Sequence, residues 1–218
     1  MAVAWATLIV HGLHHHHGVR RLILARRALS ATPTIAQSAT AGAKNQDVHY
    51  MRLALRHAQW AFREKEVPIG AVLVDEDGRV IAAARNSVES RKDASAHAEL
   101  SVLKKASQVL GNWRLQNCTL YTTVEPCAMC MGAAQGFRVR RLVYGAADHR
   151  LGSCGSWVNL VDTNHPFCNV EIMGGVLADE SSILLRRFFQ LRRREAAESK
   201  NNPFIHDGEG QEKFPADW

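Results

Sequence analysis

The chain has 218 residues, is 46% hydrophobic, and carries a formal net charge of +6 and five cysteines. That length holds one ordinary domain with a real core plus an appendage, and the composition excludes a disordered or fibrous chain. No run reaches the roughly 20 apolar residues of a membrane-spanning helix, so the chain is expected to be soluble, and a modest, odd cysteine count excludes a disulfide scaffold and points to reduced thiols, some of them ligands.

The positive charge is unevenly spread. Residues 1–46 hold Arg20, Arg21, Arg26, Arg27 and Lys44 and no acid, a balance of +5, while the other 172 residues hold 22 basic and 21 acidic side chains. The body of the chain is therefore almost neutral, and any nucleic-acid surface on it must come from local clustering. The first segment, beginning "MAVAWATLIVHGLHHHHGVRRLILARRALSA", is acid-free, dotted with arginine and then rich in Ala, Ser and Thr, the composition of an organellar transit peptide. Its arginines follow the apolar start, where a secretory signal would have them before it. The four consecutive histidines read as a metal tract, a tag or a chance run. Residues 1–46 are taken as a disordered targeting extension, 47–199 as the folded domain and 200–218 as a polar tail that frays.

From Asp47 the pattern changes. "DVHYMRLALRHAQWAFREKE" places Met51, Leu55, Ala58 and Phe62 on a helical stripe, with Asp47 positioned as an N-terminal carboxylate. "VPIGAVLVDEDGRVIAAARN" reads as strand, turn, strand, with Asp77-Gly78 as the hairpin signal. "SAHAELSVLKKASQVLG" is a helix closed by Gly111. "CTLYTTV" is β-branched and aromatic, hence a strand. "CAMCMGAAQGF" predicts a short helix with Pro126 in its first turn. "VRRLVYGA" predicts a strand, "ADHRLGSCGSW" a loop and "NVEIMGG" a short strand. "ADESSILLRRFFQLRRREAAES" is a long amphipathic helix, with Leu184, Phe188 and Leu191 as its core face. The succession predicts an α/β domain with one central sheet covered by helices, without internal repeats or a second domain.

Chemistry concentrates in two stretches. Cys127 and Cys130 stand three apart after Glu125-Pro126, a spacing that suits a disulfide, a redox pair or half of a metal site. Thirty residues upstream stands His97-Ala98-Glu99. Together they read His-x-Glu, a gap, then Pro-Cys-x-x-Cys, which resembles the signature of zinc nucleobase deaminases. The chemistry is coherent. His97, Cys127 and Cys130 supply three of the four tetrahedral positions of zinc and leave one for water. The cysteines lie one turn apart at a helix N-terminus, where thiolate is favoured. Glu99 is near enough to handle the water's proton without ligating the metal, and then to deliver it to the ring nitrogen and the departing ammonia. Cys118, Cys154 and Cys168 lack paired ligand spacing and read as ordinary thiols.

Beyond this motif, Tyr50 to about Ser199 resembles the bacterial tRNA-specific adenosine deaminase (TadA) family. The matching stretches are "REKEVPIGAVLV", "NSVESRKDASAHAEL", "NWRL", "TLYTTVEPCAMC", "RLVYGAADHRLGSCGS", "GVLADE" and "RRFFQLRRRE". The metal motif alone is shared with cytidine, guanine and riboflavin-pathway deaminases; the further stretches are more specific. The resemblance implies a three-layer α/β/α cytidine-deaminase-like fold with one mixed sheet, a homodimer, one Zn2+ per subunit held by His97, Cys127 and Cys130, and Glu99 as the catalytic residue. It implies hydrolysis of adenosine to inosine at the wobble position of a tRNA anticodon loop, that of an arginine tRNA. It matches Asn86 to the asparagine that contacts the flipped nucleotide and Asp148 to an acid beside its ribose; each also reads as an ordinary loop residue. Arg186 and Arg193 share a face of the last helix, as do Arg187 and Arg194, and Arg138, Arg140 and Arg141 form a second basic cluster. Such faces suit phosphate contact or plain solvation. The extension departs from typical bacterial members and suggests an organelle, a plastid first and a mitochondrion second, or the cytoplasm if it is not a targeting peptide. Two other functions compete: deamination of a free base or nucleoside, and a non-catalytic tRNA-binding subunit, which Glu99 argues against.

Overall fold

The computed structural model describes residues 41–161, 165, 166 and 168–201. Most of the expected targeting extension, including the histidine run, and nearly all of the expected tail lie outside the described residues. Five strands form one sheet in the order β2-β1-β3-β4-β5: β1 (Gly70–Val74), β2 (Val80–Arg85), β3 (Thr119–Val124), β4 (Arg141–Ala146) and β5 (Glu171–Met173). β1 runs antiparallel to β2 and β3, whereas β3, β4 and β5 are parallel, so the sheet is mixed. The hairpin turns at Asp77-Gly78 as the sequence predicts. Gly78 takes φ +81, and the Asp75 side chain accepts the amides of Asp77 and Arg79.

Alternation along the strands sorts side chains into two cores. Ala71, Leu73, Leu120 and Leu142 face one way and pack with Val102, Leu103 and Ala106 of α3 (Ala98–Leu110) and Met131 and Ala134 of α4 (Ala128–Gly136). Val72, Val74, Tyr121 and Val143 face the other way, against Tyr50, Met51 and Ala54 of α1 (Ala41–Arg63). α5 (Ala178–Asn201) lies on the α1 side, where Phe188 meets Phe62 edge-on with ring centroids 5.8 Å apart. The three-layer α/β/α arrangement is thus the one expected. Gly111 closes α3 in the left-handed region at φ +61, a conformation in which a Cβ is unfavourable.

Several local expectations need correction. α1 begins at Ala41, so Asp47 lies inside the helix and does not serve its N-terminus. It is buried, and its carboxylate receives both terminal nitrogens of Arg141, at 2.7 and 2.9 Å, and the Tyr121 hydroxyl at 2.9 Å. Arg141 is thereby committed to holding α1 against the sheet and leaves the basic cluster. Arg138 lies over the Trp113 ring, 5.1 Å from its centroid. Leu191, assigned to the core face of α5, is exposed, as is nearly every residue of α5 from Phe189 to Ser199. Pro126 precedes the Cys127 N-cap of α4, and the single-turn α2 (Val88–Arg91) was not anticipated.

Candidate metal centre

The site forms where the parallel strands end, the usual place for a site in an open α/β sheet. β3 runs out at Val124 and the chain passes through Glu125 and Pro126 to Cys127, which caps α4. His97 caps α3. Neither side chain makes a capping hydrogen bond, and the two face each other across the helix starts. His97 Nδ1 lies 3.6 Å from Cys127 Sγ and 3.5 Å from Cys130 Sγ. Two ligands at ordinary Zn–S and Zn–N distances and a tetrahedral angle sit about 3.6 Å apart. The three donor atoms, all within 4.8 Å of one another, therefore fit a zinc ion, and the His-Cys-Cys donor set suits its softness.

Without metal the two sulfurs compete for one proton. The hydrogen bond from Cys130 is the main reason the Cys127 thiol is held down at about 4, with burial opposing and His97 assisting. Cys130 is pushed far up, by that same pairing first and then by burial. The Cys127 hydrogen bond raises His97 against burial. A metal held here would need both sulfurs as thiolates, so its binding would release protons.

Glu99, in the first turn of α3, is 3% exposed. Its Oε2 is buried without a hydrogen-bond partner, a costly state for a carboxylate unless a ligand or reacting group completes it. Burial pushes its carboxyl above the ordinary value, and its own backbone amide and His97 oppose this without cancelling it.

Two buried carboxylates that sequence reasoning left unassigned frame the site. Glu125 accepts the amides of Cys154 (2.8 Å) and Ser156 (3.2 Å) on Oε1 and that of Asp148 (3.0 Å) on Oε2. It thus pulls the 147–157 loop over the start of α4, where Cys127 bridges to Gly152. A Cβ on Gly152 would lie 2.5 Å from the Glu125 carboxylate and from the Asp148 carbonyl, so only glycine allows the approach. Asp148 is half-buried there, its Oδ1 accepting the amides of Arg150 (2.9 Å) and Leu151 (3.3 Å). On the other side Glu66 is fully buried and takes hydrogen bonds from the Asn86 side chain and from the amides of Glu89 and Ser90. Asn86 follows the end of β2 and is itself buried. The next residue, Ser87, donates its amide to the Ala96 carbonyl, next to His97. The loops bearing Asn86 and Asp148 are therefore both tied to metal-donor segments. Arg186 and Arg193 are exposed on α5. Glu66 and Glu125 escaped notice because an acid between "REK" and "VP", or before "PC", carries no periodic or motif signal of its own.

Glu66 has a consequence for acid stability. Burial raises its carboxyl, but the hydrogen bonds from Ser90, Glu89 and Asn86 outweigh burial and hold it below its ordinary value of 4.5. A carboxyl depressed in the folded state stabilises the fold fully above the unfolded value, and that stabilisation disappears as pH falls through the folded value. Denaturant melts of wild type and Glu66→Gln should therefore differ most at pH 7, with the gap shrinking as pH falls below the ordinary carboxyl value of 4.5; a gap independent of pH would contradict the ionised carboxylate.

A sheet of this order, with such a donor group at two helix starts and a buried glutamate beside it, defines a zinc-binding deaminase of the cytidine-deaminase-like class. The family model for the cytidine and deoxycytidylate deaminase zinc-binding region matches residues 44–146. Over 157 residues the chain is 43% identical to the tRNA-specific adenosine deaminase of Bacillus subtilis, covering 72% of this chain and 97% of the relative. It is 42% identical over 162 residues to the chloroplastic tRNA(adenine(34)) deaminase of Arabidopsis thaliana, covering 67% of this chain and 12% of that one. A solved structure from a study of A-to-I editing by tRNA:A34 deaminases superposes with a TM-score of 0.61 at 42% identity, over 63% of this chain and 99% of that one. The guanine deaminase of Nitrosomonas europaea superposes with a TM-score of 0.58 at 26% identity, over 65% of this chain and 83% of that one. The chain belongs to the tRNA-specific adenosine deaminase family.

Proposed function

We propose that the chain hydrolyses adenosine to inosine at the wobble position of a tRNA anticodon loop, with an arginine tRNA as the first substrate to try. The observation that carries this is the unpartnered, buried Glu99 Oε2 beside three donors spaced as zinc ligands; the 43% identity to a tRNA-specific adenosine deaminase supports the choice of base. His97, Cys127 and Cys130 hold the metal. Bound zinc supplies a Lewis acid that brings the pKa of water toward about 7. Glu99 takes a proton from the attacking water and passes it to the purine ring nitrogen N1. A new C6–O bond forms, the C6–N6 bond breaks, and Glu99 relays the second proton to the leaving ammonia. Asn86 and Asp148 hold the flipped nucleotide, and a loop base, being little stacked, is cheap to flip. Arg186 and Arg193 meet backbone phosphates, making a salt-dependent contribution.

The active unit is a homodimer of a 47–199 deaminase domain. Residues 1–46 direct it to a plastid, a reading that the chloroplastic relative supports. Among the described residues, no helix is long and apolar enough to cross a membrane. The test is direct. The full chain is incubated with an arginine tRNA bearing adenosine at the wobble position, and with free adenosine, cytidine and guanine. Inosine in the tRNA is expected. Ammonia from free guanine or another free substrate, with no inosine in the tRNA, would replace this reading with a small-molecule deaminase.

A further inference from the structure

The role of Glu66 reaches beyond stability. The residue sits just past α1, fully buried, and its hydrogen-bond donors are all neutral: Asn86 Nδ2 at 3.1 Å and the Glu89 amide at 3.3 Å on Oε2, and the Ser90 amide at 2.7 Å on Oε1. An ionised carboxylate only accepts hydrogen bonds. The Asn86 side chain must therefore turn its nitrogen toward Glu66 and cannot present the flipped amide. Its backbone is fixed as well, since the Asn86 amide donates to the Ile69 carbonyl at 2.9 Å. What remains for a ligand is the Asn86 carbonyl oxygen and the second N–H, offered in one fixed sense. A neutral amide in place of Glu66 could accept or donate, and both flips of Asn86 would then be open.

We infer that Glu66 is a positioning residue for the deamination, acting through Asn86 by locking the orientation of the amide that meets the nucleotide. This rests on the reading of Asn86 as a nucleotide contact. A structural role alone would affect folding, and would affect activity independently of Asn86. A positioning role makes the two residues one unit.

The experiment is a double-mutant cycle in the full zinc-loaded chain, comparing wild type, Glu66→Gln, Asn86→Ala and the double variant. It reads kcat/KM for inosine formation in an arginine tRNA and melting temperature for folding. Each single change is expected to lower kcat/KM by about tenfold or more, the scale of one buried hydrogen bond misplaced. The double variant should be no slower than Asn86→Ala, within about twofold. Losses that multiply, or an unchanged rate in Glu66→Gln, overturn the inference and leave the Asn86 contact standing. An unchanged rate in Asn86→Ala overturns both. If Glu66→Gln does not fold, the side-chain amide of Asn86 in the wild-type chain decides by hydrogen exchange. One strongly protected amide proton is expected. Two protons exchanging as in a free amide overturn the inference.

Discussion

Glu99→Gln is expected to lower kcat for inosine formation by about 10² to 10⁴-fold, the range that a positioned general acid–base contributes, while zinc content stays at the wild-type level. The two halves of that result follow from different atoms. The three residues whose donor atoms could hold a metal are His97, Cys127 and Cys130, and Glu99 is not among them. Its Oε2 is buried without a partner, so a proton on the substrate or the attacking water has one carboxylate oxygen waiting for it. Glutamine keeps the volume and cannot carry the proton. The domain should also stay folded, with a melting temperature within about 4 °C of wild type, because Oε2 has no hydrogen bond for the replacement to break. Inosine formation assayed alongside zinc content and thermal melting separates the cases. Activity within tenfold of wild type would remove Glu99 from proton transfer; loss of zinc together with activity would make it part of the metal site.

The sheet and its two helix layers could be read from the sequence because they are local patterns. Periodicity of two places Ala71, Leu73 and Val72, Val74 on opposite faces, and periodicity near 3.6 puts Met51, Leu55, Ala58 and Phe62 on one stripe, of which Met51, Leu55 and Ala58 are buried. The donor triad was readable for a similar reason. The Cys127–Cys130 spacing is one helical turn, and the His-x-Glu motif opens a helix whose end Gly111 marks. What stayed hidden is the partnership of charges distant in sequence. Asp47 looks like a helix-start acid and is in fact paired with Arg141, 94 residues away. Glu66 and Asn86 are 20 apart and Glu125 and Asp148 are 23 apart. Each acid is unremarkable until the chain is folded, since nothing local says which surface carboxylate will be carried inside.

Those hidden acids share a physical logic. Glu66 and Glu125 are both satisfied by neutral N–H groups of the backbone and of Asn86. A buried carboxylate of this kind is stable because backbone amides compensate it, and in return it fixes the loops that donate them. The loops concerned carry Asn86 and Asp148, one on each side of the donor group. Loops are ordinarily the mobile parts of a fold; here two are pinned by acids anchored at the ends of α1 and β3. Glu99 is the exception. It is buried like the other two, yet one of its oxygens has been left without a donor, the difference expected between a group that holds structure and one that exchanges a proton.

Cys127→Ser and Cys130→Ser should each reduce zinc from about one ion per chain to near zero and bring inosine formation below detection. With two donors left the tetrahedral set is broken, and serine is a hard, weakly acidic ligand in place of a soft thiolate. Stability should fall as well. The donor group joins the starts of α3 and α4, so metal binding to the folded chain alone adds stability by mass action, and losing it lowers the melting temperature. Removing zinc from the wild-type chain with a chelator should lower its melting temperature likewise, and should leave that of Cys127→Ser unchanged. Cys168→Ser is the control, because the Cys168 thiol donates to the Val139 carbonyl at 3.3 Å, outside the donor group; it should keep its zinc and its activity. Metal analysis, melting with and without chelator, and the tRNA assay give three independent readings. A Cys127→Ser chain that retains full zinc would sink the donor assignment. Zinc loss with inosine formation intact would leave the donors in place and make the metal structural, and the proton transfer assigned to Glu99 would then need another source of activated water.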